Sequence, residues 1–274
     1  MNKEFIYRQL LNILDEESIK VDELMKKHIT FKVGGPADFL VKPKTEEELR
    51  KVIKFAKEEN IPFLVIGNGS NLLVKDGGIR GIVIELSDNF NNYEIEGNII
   101  KSQSGALAMN AGAYGGEMKQ VVKSVRLMDT EGNIFELSNE EMEFEYRKSL
   151  LSRKDYIVLS AVIELQEGNM DKIKETMADY SNKRVTKQPL NLPSAGSTFK
   201  RPEGHFAAKL IDDCGLRGLT LRGAQVSDKH CGFVVNMGDA NAKDILDLMF
   251  IVKSTVNEKF GIMLEEEVKI LGED

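Results

Sequence analysis

Ile61-Pro62-Phe63-Leu64-Val65-Ile66-Gly67-Asn68-Gly69-Ser70-Asn71-Leu72-Leu73-Val74 is the stretch on which the fold turns. An apolar run of buried-strand character enters a loop of glycine, asparagine and serine, and a second apolar run follows at once. Glycine lets a backbone turn sharply and come close to a phosphate. Exposed amides in such a turn, with the Ser70 and Asn71 side chains, can cradle a pyrophosphate. A Rossmann fingerprint needs a third glycine at position 72 and a helix straight after it. Position 72 is leucine and strand follows, so that fold is excluded. A Walker loop ending in Gly-Lys-Ser/Thr is absent as well. Taken alone, the loop reads equally as a plain turn or an anion site.

Upstream, Ile6, Leu10, Ile13 and Leu14 keep helical spacing. Thr45-Glu46-Glu47-Glu48 is a capping box that predicts a helix to about Asn60. Downstream, the turn Lys75-Asp76-Gly77-Gly78 leads to a third apolar run, Gly81 to Leu86. The first third is therefore a small α/β unit. The middle is richer in strand. Ile95 to Ile100 reads as strand, turn, strand, and Val125–Met128 with Ile134–Leu137 flank the hairpin signal Asp129-Thr130-Glu131-Gly132-Asn133. Ser138-Asn139-Glu140-Glu141 is a second capping box and predicts a short helix. Tyr156 to Leu165 reads as a strand with Ile157, Leu159, Ala161, Ile163 and Leu165 on one face. A helix is expected from Met170 to about Lys183, then a loop of small residues bracketed by Pro189 and Pro193. Ala207 to Cys214 reads as a helix stopped by Gly215. Ile245, Leu248, Val252, Val256 and Phe260 make the stripe of a long helix from about Ala242, and Met263 to Leu271 reads as a final strand.

The whole chain of 274 residues is long enough for two or three small domains. Its 42% hydrophobic and 30% charged residues fit a folded globular protein. A net charge of -7 argues against general nucleic-acid binding, which needs a basic field. No stretch approaches the roughly 20 apolar residues of a membrane span, and the charged N-terminus does not read as a signal peptide. Cys214 and Cys231 form neither a metal pattern nor a disulfide framework and read as small buried residues in a reducing cytoplasm. His28, His205 and His230 lack metal spacing, so no metal site is expected.

Two further glycine clusters lie in the same half, Thr30-Phe31-Lys32-Val33-Gly34-Gly35-Pro36-Ala37 and Asn110-Ala111-Gly112-Ala113-Tyr114-Gly115-Gly116-Glu117. Three such clusters suggest backbone packed against an extended ligand. Joined in order to Tyr146-Arg147-Lys148-Ser149, Ala195-Gly196-Ser197-Thr198-Phe199-Lys200, His230-Cys231-Gly232-Phe233 and Leu264-Glu265-Glu266-Glu267-Val268, they make the chain resemble the UDP-N-acetylenolpyruvoylglucosamine reductases, in their shorter subclass. The pieces are unspecific singly and specific in their joint order.

The resemblance implies an α+β fold. A two-subdomain FAD-binding part of the vanillyl-alcohol-oxidase/p-cresol-methylhydroxylase type would span residues 1–86 and 87–168. A small α/β substrate domain would span 169–274, its last strand returning toward the FAD part. The implied cofactors are FAD and NADPH, and the implied partner is a small-molecule UDP-sugar in peptidoglycan precursor synthesis. A cytoplasmic monomer without nucleic acid or membrane insertion is expected. Thr30, Val33, Gly34, Gly35, Gly67, Asn68, Gly69, Ser70, Asn71, Asn110, Gly112, Ala113 and Tyr114 would bind the cofactor, and Lys187 and Lys200 the substrate.

Three residues match catalytic positions of the family. Hydride addition to an enolpyruvyl group spreads negative charge into its carboxylate, and the match gives the stabilising cation to Arg147. Ser197 matches the proton donor. Glu267 matches the third position. Reading the run as a strand puts Ile262, Leu264, Val268 and Ile270 on one face and both Glu265 and Glu267 on the other, which leaves the choice to the resemblance.

The chain departs from the family at one place. Only Leu107-Ala108 separates the strand ending near Ala106 from the Met109-Asn110-Ala111-Gly112 motif, where relatives carry a few tens of residues with a helix and a turn against the flavin. The alternative reading is therefore a flavin-free UDP-sugar-binding protein or an inactive deletion variant of the same family.

Overall fold

The computed structural model describes residues 2–86, 90, 92–102 and 105–274. Ser104, in the strand end beside the join, lies outside them. Helix and strand are mixed along the chain, as an α+β fold requires. The chain forms two compact units. One comprises residues 1–20, 40–67 and 82–176, the other 21–39, 68–81 and 177–274. A four-stranded sheet contains, in spatial order, Ile19–Leu24, Pro36–Val41, Ile79–Glu85 and Phe63–Ile66.

In the first unit the helix Lys3–Leu11 buries Ile6 and Leu10. Thr45 caps the helix Glu46–Glu58 through its hydroxyl, which accepts the Glu48 N–H at 3.1 Å. The Glu48 carboxylate reaches back one residue further than a standard box, to the Lys44 N–H at 2.5 Å. Phe63–Ile66 pairs in parallel with Ile79–Glu85. A five-stranded antiparallel sheet follows in the order Ile134–Ser138, Val122–Met128, Ile157–Glu164, Ile99–Ser102 and Tyr93–Glu96. Its hairpin turn is pinned by Asp129, whose carboxylate accepts the Glu131 and Asn133 N–H groups. Leu107 joins Val122, Val125, Leu127, Met142, Phe144 and Ala161 in one apolar core. The two-residue link at Leu107-Ala108 therefore closes into packed structure.

The expected helix after Ser138 does not form. The bonds of the capping box are present, from the Ser138 N–H to the Glu141 carboxylate and from the Glu141 N–H to the Ser138 hydroxyl. They close a turn, and Glu143 follows with φ +48, a left-handed conformation that ends any helix.

In the second unit the helix Ala207–Asp213 ends at Cys214, and Gly215 takes φ +74. Thr220–Leu221, Ala224–Val226 and Val234–Asn236 form a three-stranded antiparallel sheet. The helix Ala242–Phe260 starts on an Asn241/Asp244 capping box, which the sequence reading overlooked. Ile245, Leu248, Val252 and Val256 on it are buried. Lys269–Leu271 lies parallel to Leu72–Val74. The final strand is shorter than expected: Met263 to Val268 is irregular apart from a single bridge between Phe199 and Glu266. The helix Met170–Lys187 runs four residues past its expected end and buries none of its residues. Both cysteines are free, Cys231 buried and Cys214 half-buried, and burial pushes the Cys231 thiol up to about 11. Among the described residues no helix is long and apolar enough to cross a membrane.

Candidate active site

Thr198 is the hub of the second unit's site. Its N–H donates to the Gly232 carbonyl at 2.8 Å, and its hydroxyl accepts the Val234 N–H at 2.9 Å. Its carbonyl accepts the Glu267 N–H at 2.9 Å, while the Lys200 N–H donates to the Glu265 carbonyl at 2.8 Å. Residues 198–200 thus lie antiparallel to 265–267, which seats Ser197 at the end of this ladder beside Glu267. Gly196, with φ +76, makes the turn immediately before Ser197. Ser197 itself is half-buried.

The three consecutive glutamates part company here. Glu265 pairs with Lys200 at 3.0 Å, and Glu266 pairs with Lys253 at 2.6 Å. Burial pushes the Glu266 carboxyl up, but the Lys253 ammonium holds it below the usual carboxylate range. Glu267 is fixed at its backbone on both sides, by Thr198 and by the Asn71 side-chain amide, which donates to its carbonyl at 3.1 Å. The expected strand alternation is corrected by this geometry. The segment is no regular strand, and it is lysines distant in sequence that set Glu265 and Glu266 apart from Glu267.

Asn71 belongs to the glycine loop, so the loop and Glu267 are tied directly. The Lys269 N–H adds a second tie to the Asn71 carbonyl at 3.0 Å. Thr30 joins the same assembly. Its N–H donates to the Gly69 carbonyl at 3.2 Å, and its hydroxyl donates to the Ser194 carbonyl at 2.7 Å. Asn236 makes a comparable bridge that sequence reading missed. Its side chain donates to the Phe31 carbonyl at 3.2 Å, and its N–H donates to the Pro193 carbonyl at 2.9 Å. The available signal was an asparagine ending the apolar strand Val234-Val235-Asn236, where a buried amide must find partners.

The glycines serve different ends. A Cβ on Gly35 would lie 1.9 Å from the Asp76 carbonyl oxygen, and one on Gly34 would lie 2.8 Å from the Val74 Cβ. These two permit chain-to-chain packing, and Val33 between them and Thr30 is buried in the core. A Cβ on Gly69 would meet the His28 carbonyl oxygen at 2.4 Å, whereas one on Gly67 would meet nothing within 4 Å. Gly67, Asn68 and Ser70 are exposed. An exposed glycine turn with open space over Gly67 fits the diphosphate part of a flavin nucleotide.

Arg147 belongs to the first unit. It lies at φ +55 in a turn closed by two backbone bonds between Glu145 and Lys148, at 3.0 and 3.2 Å. Its guanidinium donates to the Gly112 carbonyl at 3.4 Å and lies 5.6 Å from the Tyr146 ring centroid. Gly112–Ala113 pairs with Gly116–Glu117 in a small hairpin whose tip carries the exposed Tyr114 at φ +53. The Asn110 side chain is buried and committed to protein groups. Lys187 is the exposed last residue of its helix.

Two family models match the chain. One, described as an FAD binding domain, covers residues 37–106, and the other, the C-terminal domain of UDP-N-acetylenolpyruvoylglucosamine reductase, covers 188–271. The UDP-N-acetylenolpyruvoylglucosamine reductase of Clostridioides difficile (strain 630) is 64% identical, with the whole of both chains aligned. That of Alkaliphilus metalliredigens (strain QYMF) is 45% identical, again over the whole of both chains. The crystal structure of the Thermus caldophilus UDP-N-acetylenolpyruvylglucosamine reductase superposes with a TM-score of 0.77 at 33% identity, covering 92% of this chain and 99% of that one. The alignment with the first relative runs over 304 positions, 30 more than the 274 residues of this chain. The FAD-domain match stops at residue 106, on the near side of the Leu107-Ala108 link.

Proposed function

The chain belongs to the UDP-N-acetylenolpyruvoylglucosamine reductase family, and from that premise we propose that it reduces the enolpyruvyl group of UDP-N-acetylglucosamine enolpyruvate to UDP-N-acetylmuramate, a step of peptidoglycan precursor synthesis. It is an FAD-dependent NADPH oxidoreductase, working in the cytoplasm as a monomer. Bound FAD supplies the hydride, taken from NADPH. Gly67, Asn68, Gly69, Ser70 and Asn71 hold the cofactor diphosphate, with Thr30 to Gly35 beneath them and Asn110 to Tyr114 as a further wall.

Arg147 faces the negative charge that hydride addition drives into the substrate carboxylate. One such fixed donor is worth about 2.7–4 kcal/mol in the transition state. Ser197 gives its hydroxyl proton to the neighbouring carbon. A serine hydroxyl is a weak acid, but the enolate it meets is a strong base, so placement counts for more than acidity. Glu267 completes the set beside Ser197. Lys187 and Lys200 serve the substrate diphosphate, and residues 169–274 form the substrate domain.

The observation that carries this reading is the ladder between 198–200 and 265–267, which sets Ser197 and Glu267 at one place and binds both to the glycine loop through Asn71. The test is NADPH oxidation by purified protein with added FAD. Consumption dependent on the enolpyruvyl sugar is expected. None, under conditions where the Clostridioides difficile relative turns over, would overturn it. The shortfall of 30 aligned positions favours a second reading, a flavin-free protein that keeps the UDP-sugar site. Calorimetric binding of the sugar by protein that retains no flavin on desalting would establish it in place of the first.

A further inference from the structure

We propose that Asn110 and Ser149 are positioning residues for Arg147, holding its turn in the strained conformation from which the guanidinium meets the substrate carboxylate. This rests on the reductase reading of Arg147 given above. Arg147 has φ +55, and a non-glycine residue keeps a left-handed backbone only where its surroundings impose it. The surroundings here are two buried side chains. The Asn110 amide nitrogen donates to the Glu145 carbonyl at 3.0 Å, at the first residue of the turn. The Ser149 hydroxyl donates to the Ala108 carbonyl at 3.0 Å, just past its last residue. Each residue is only 1% exposed.

Asn110 is well fixed for this task. Its amide nitrogen also donates to a Glu117 carboxylate oxygen at 3.0 Å, and its oxygen accepts the Lys119 N–H at 2.9 Å. With both ends of the amide engaged, it cannot rotate without losing bonds in a buried site. It is itself at φ +41, a conformation asparagine tolerates better than most residues. The same stretch leads into Gly112, whose carbonyl accepts from the Arg147 guanidinium. Backbone strain at Arg147 and its guanidinium are thus held from one segment, residues 108–112. Ala108 belongs to the two-residue link, so this segment keeps the arginine placed although the chain is short there.

The experiment is calorimetric titration with two sugars, UDP-N-acetylglucosamine enolpyruvate and UDP-N-acetylglucosamine, which lacks the carboxylate. Wild type, Asn110→Asp, Ser149→Ala, Arg147→Ala and the Asn110→Asp/Arg147→Ala pair are compared. The Asn110→Asp change keeps the acceptor for the Lys119 N–H but loses both donated bonds and sets a second carboxylate against that of Glu117. Wild type should prefer the enolpyruvyl sugar. Asn110→Asp should lose about tenfold to a hundredfold of affinity for that sugar alone, the range of one charge-assisted hydrogen bond. It should add little to Arg147→Ala, because both changes remove the same contact. Ser149→Ala, which leaves the Asn110 bonds intact, should act in the same direction. Equal losses for both sugars, or additivity with Arg147→Ala, would overturn the positioning role. Wild type that binds the two sugars alike would overturn the reading of Arg147 itself.

Discussion

The Glu267 N–H donates to the Thr198 carbonyl at 2.9 Å, and this single bond fixes where the neighbouring Ser197 stands. Thr198 is buried and bonded at its N–H, its hydroxyl and its carbonyl, so the backbone next to Ser197 has no slack. A proton donor acts through placement, and only in the half-reaction that reaches the substrate. Ser197→Ala should therefore leave flavin reduction by NADPH unchanged and slow oxidation of the reduced flavin by the enolpyruvyl sugar roughly 100- to 10,000-fold. Rapid-mixing spectrophotometry at the flavin band separates the two steps. Equal losses in both would remove Ser197 from its role.

The parts of the fold written as a local pattern were legible in the chain. The run Ile61 to Val74 reads as strand, loop and strand because apolar blocks flank glycine, and the stripe Ile245, Leu248, Val252, Val256 can only be a helix. Ser138 to Glu141 misled because a capping box makes the same bonds in a turn as in a helix, and the left-handed Glu143 that decides between them carries no mark in its side chain. Met263 to Val268 misled for another reason. Its partners, Phe199, Lys200 and Lys253, are set by tertiary pairing, which alternation within the segment cannot reveal. For the same reason Glu267 could be singled out only by resemblance, whereas the folded chain distinguishes it by the lysines its neighbours use.

Two glycines in the proposed cofactor segments should respond in opposite ways to a single methyl group. Gly35→Ala drives a Cβ to 1.9 Å from the Asp76 carbonyl, a backbone contact that cannot yield cheaply. It should cost at least about 3 kcal/mol of stability, at the upper end of overpacking. Gly67→Ala meets nothing of the protein and should unfold at the wild-type denaturant midpoint. If the loop approaches a diphosphate, Gly67→Ala should nevertheless weaken FAD binding in a fluorescence titration. A normal midpoint with unchanged FAD affinity would show that Gly67 lies away from the cofactor.

Asp244 makes part of the stability dependent on pH. Burial pushes its carboxyl up, but the bond from Arg222 at 2.9 Å and the Asn241 N–H hold it below the usual range. An unfolded aspartate titrates near about 3.9. The folded value is lower, so on acidification the unfolded chain takes up this proton first. The contribution is complete above about pH 4 and is lost as pH falls through the folded value. Urea midpoints of wild type and Asp244→Asn should therefore differ at pH 6 and converge toward pH 3. A difference that stays constant across this range would mean that Asp244 acts through shape alone.

The link at Leu107-Ala108 offers the sharpest test of what the chain can hold. It is closed on the protein side: Leu107 is in the core, the Asn110 N–H donates to the Leu107 carbonyl at 3.1 Å, and the Ala111 N–H donates to the Ala106 carbonyl at 2.9 Å. The fold on this side therefore does not depend on the stretch that the Clostridioides difficile relative has in addition, but a wall against the flavin would. Inserting that relative's extra residues between Ala106 and Met109 should raise FAD affinity while leaving the circular dichroism of the rest in place. Without FAD, the inserted and natural chains should melt within a few degrees of each other. With FAD at 100 times its dissociation constant, the inserted chain should gain about 2.7 kcal/mol by linkage, and the natural chain less at the same FAD concentration. Visible absorbance after desalting and melting with and without FAD read the two effects. Equal flavin retention by both chains would mean that the glycine loop and its neighbours suffice, and that the stretch absent here serves something other than holding the cofactor.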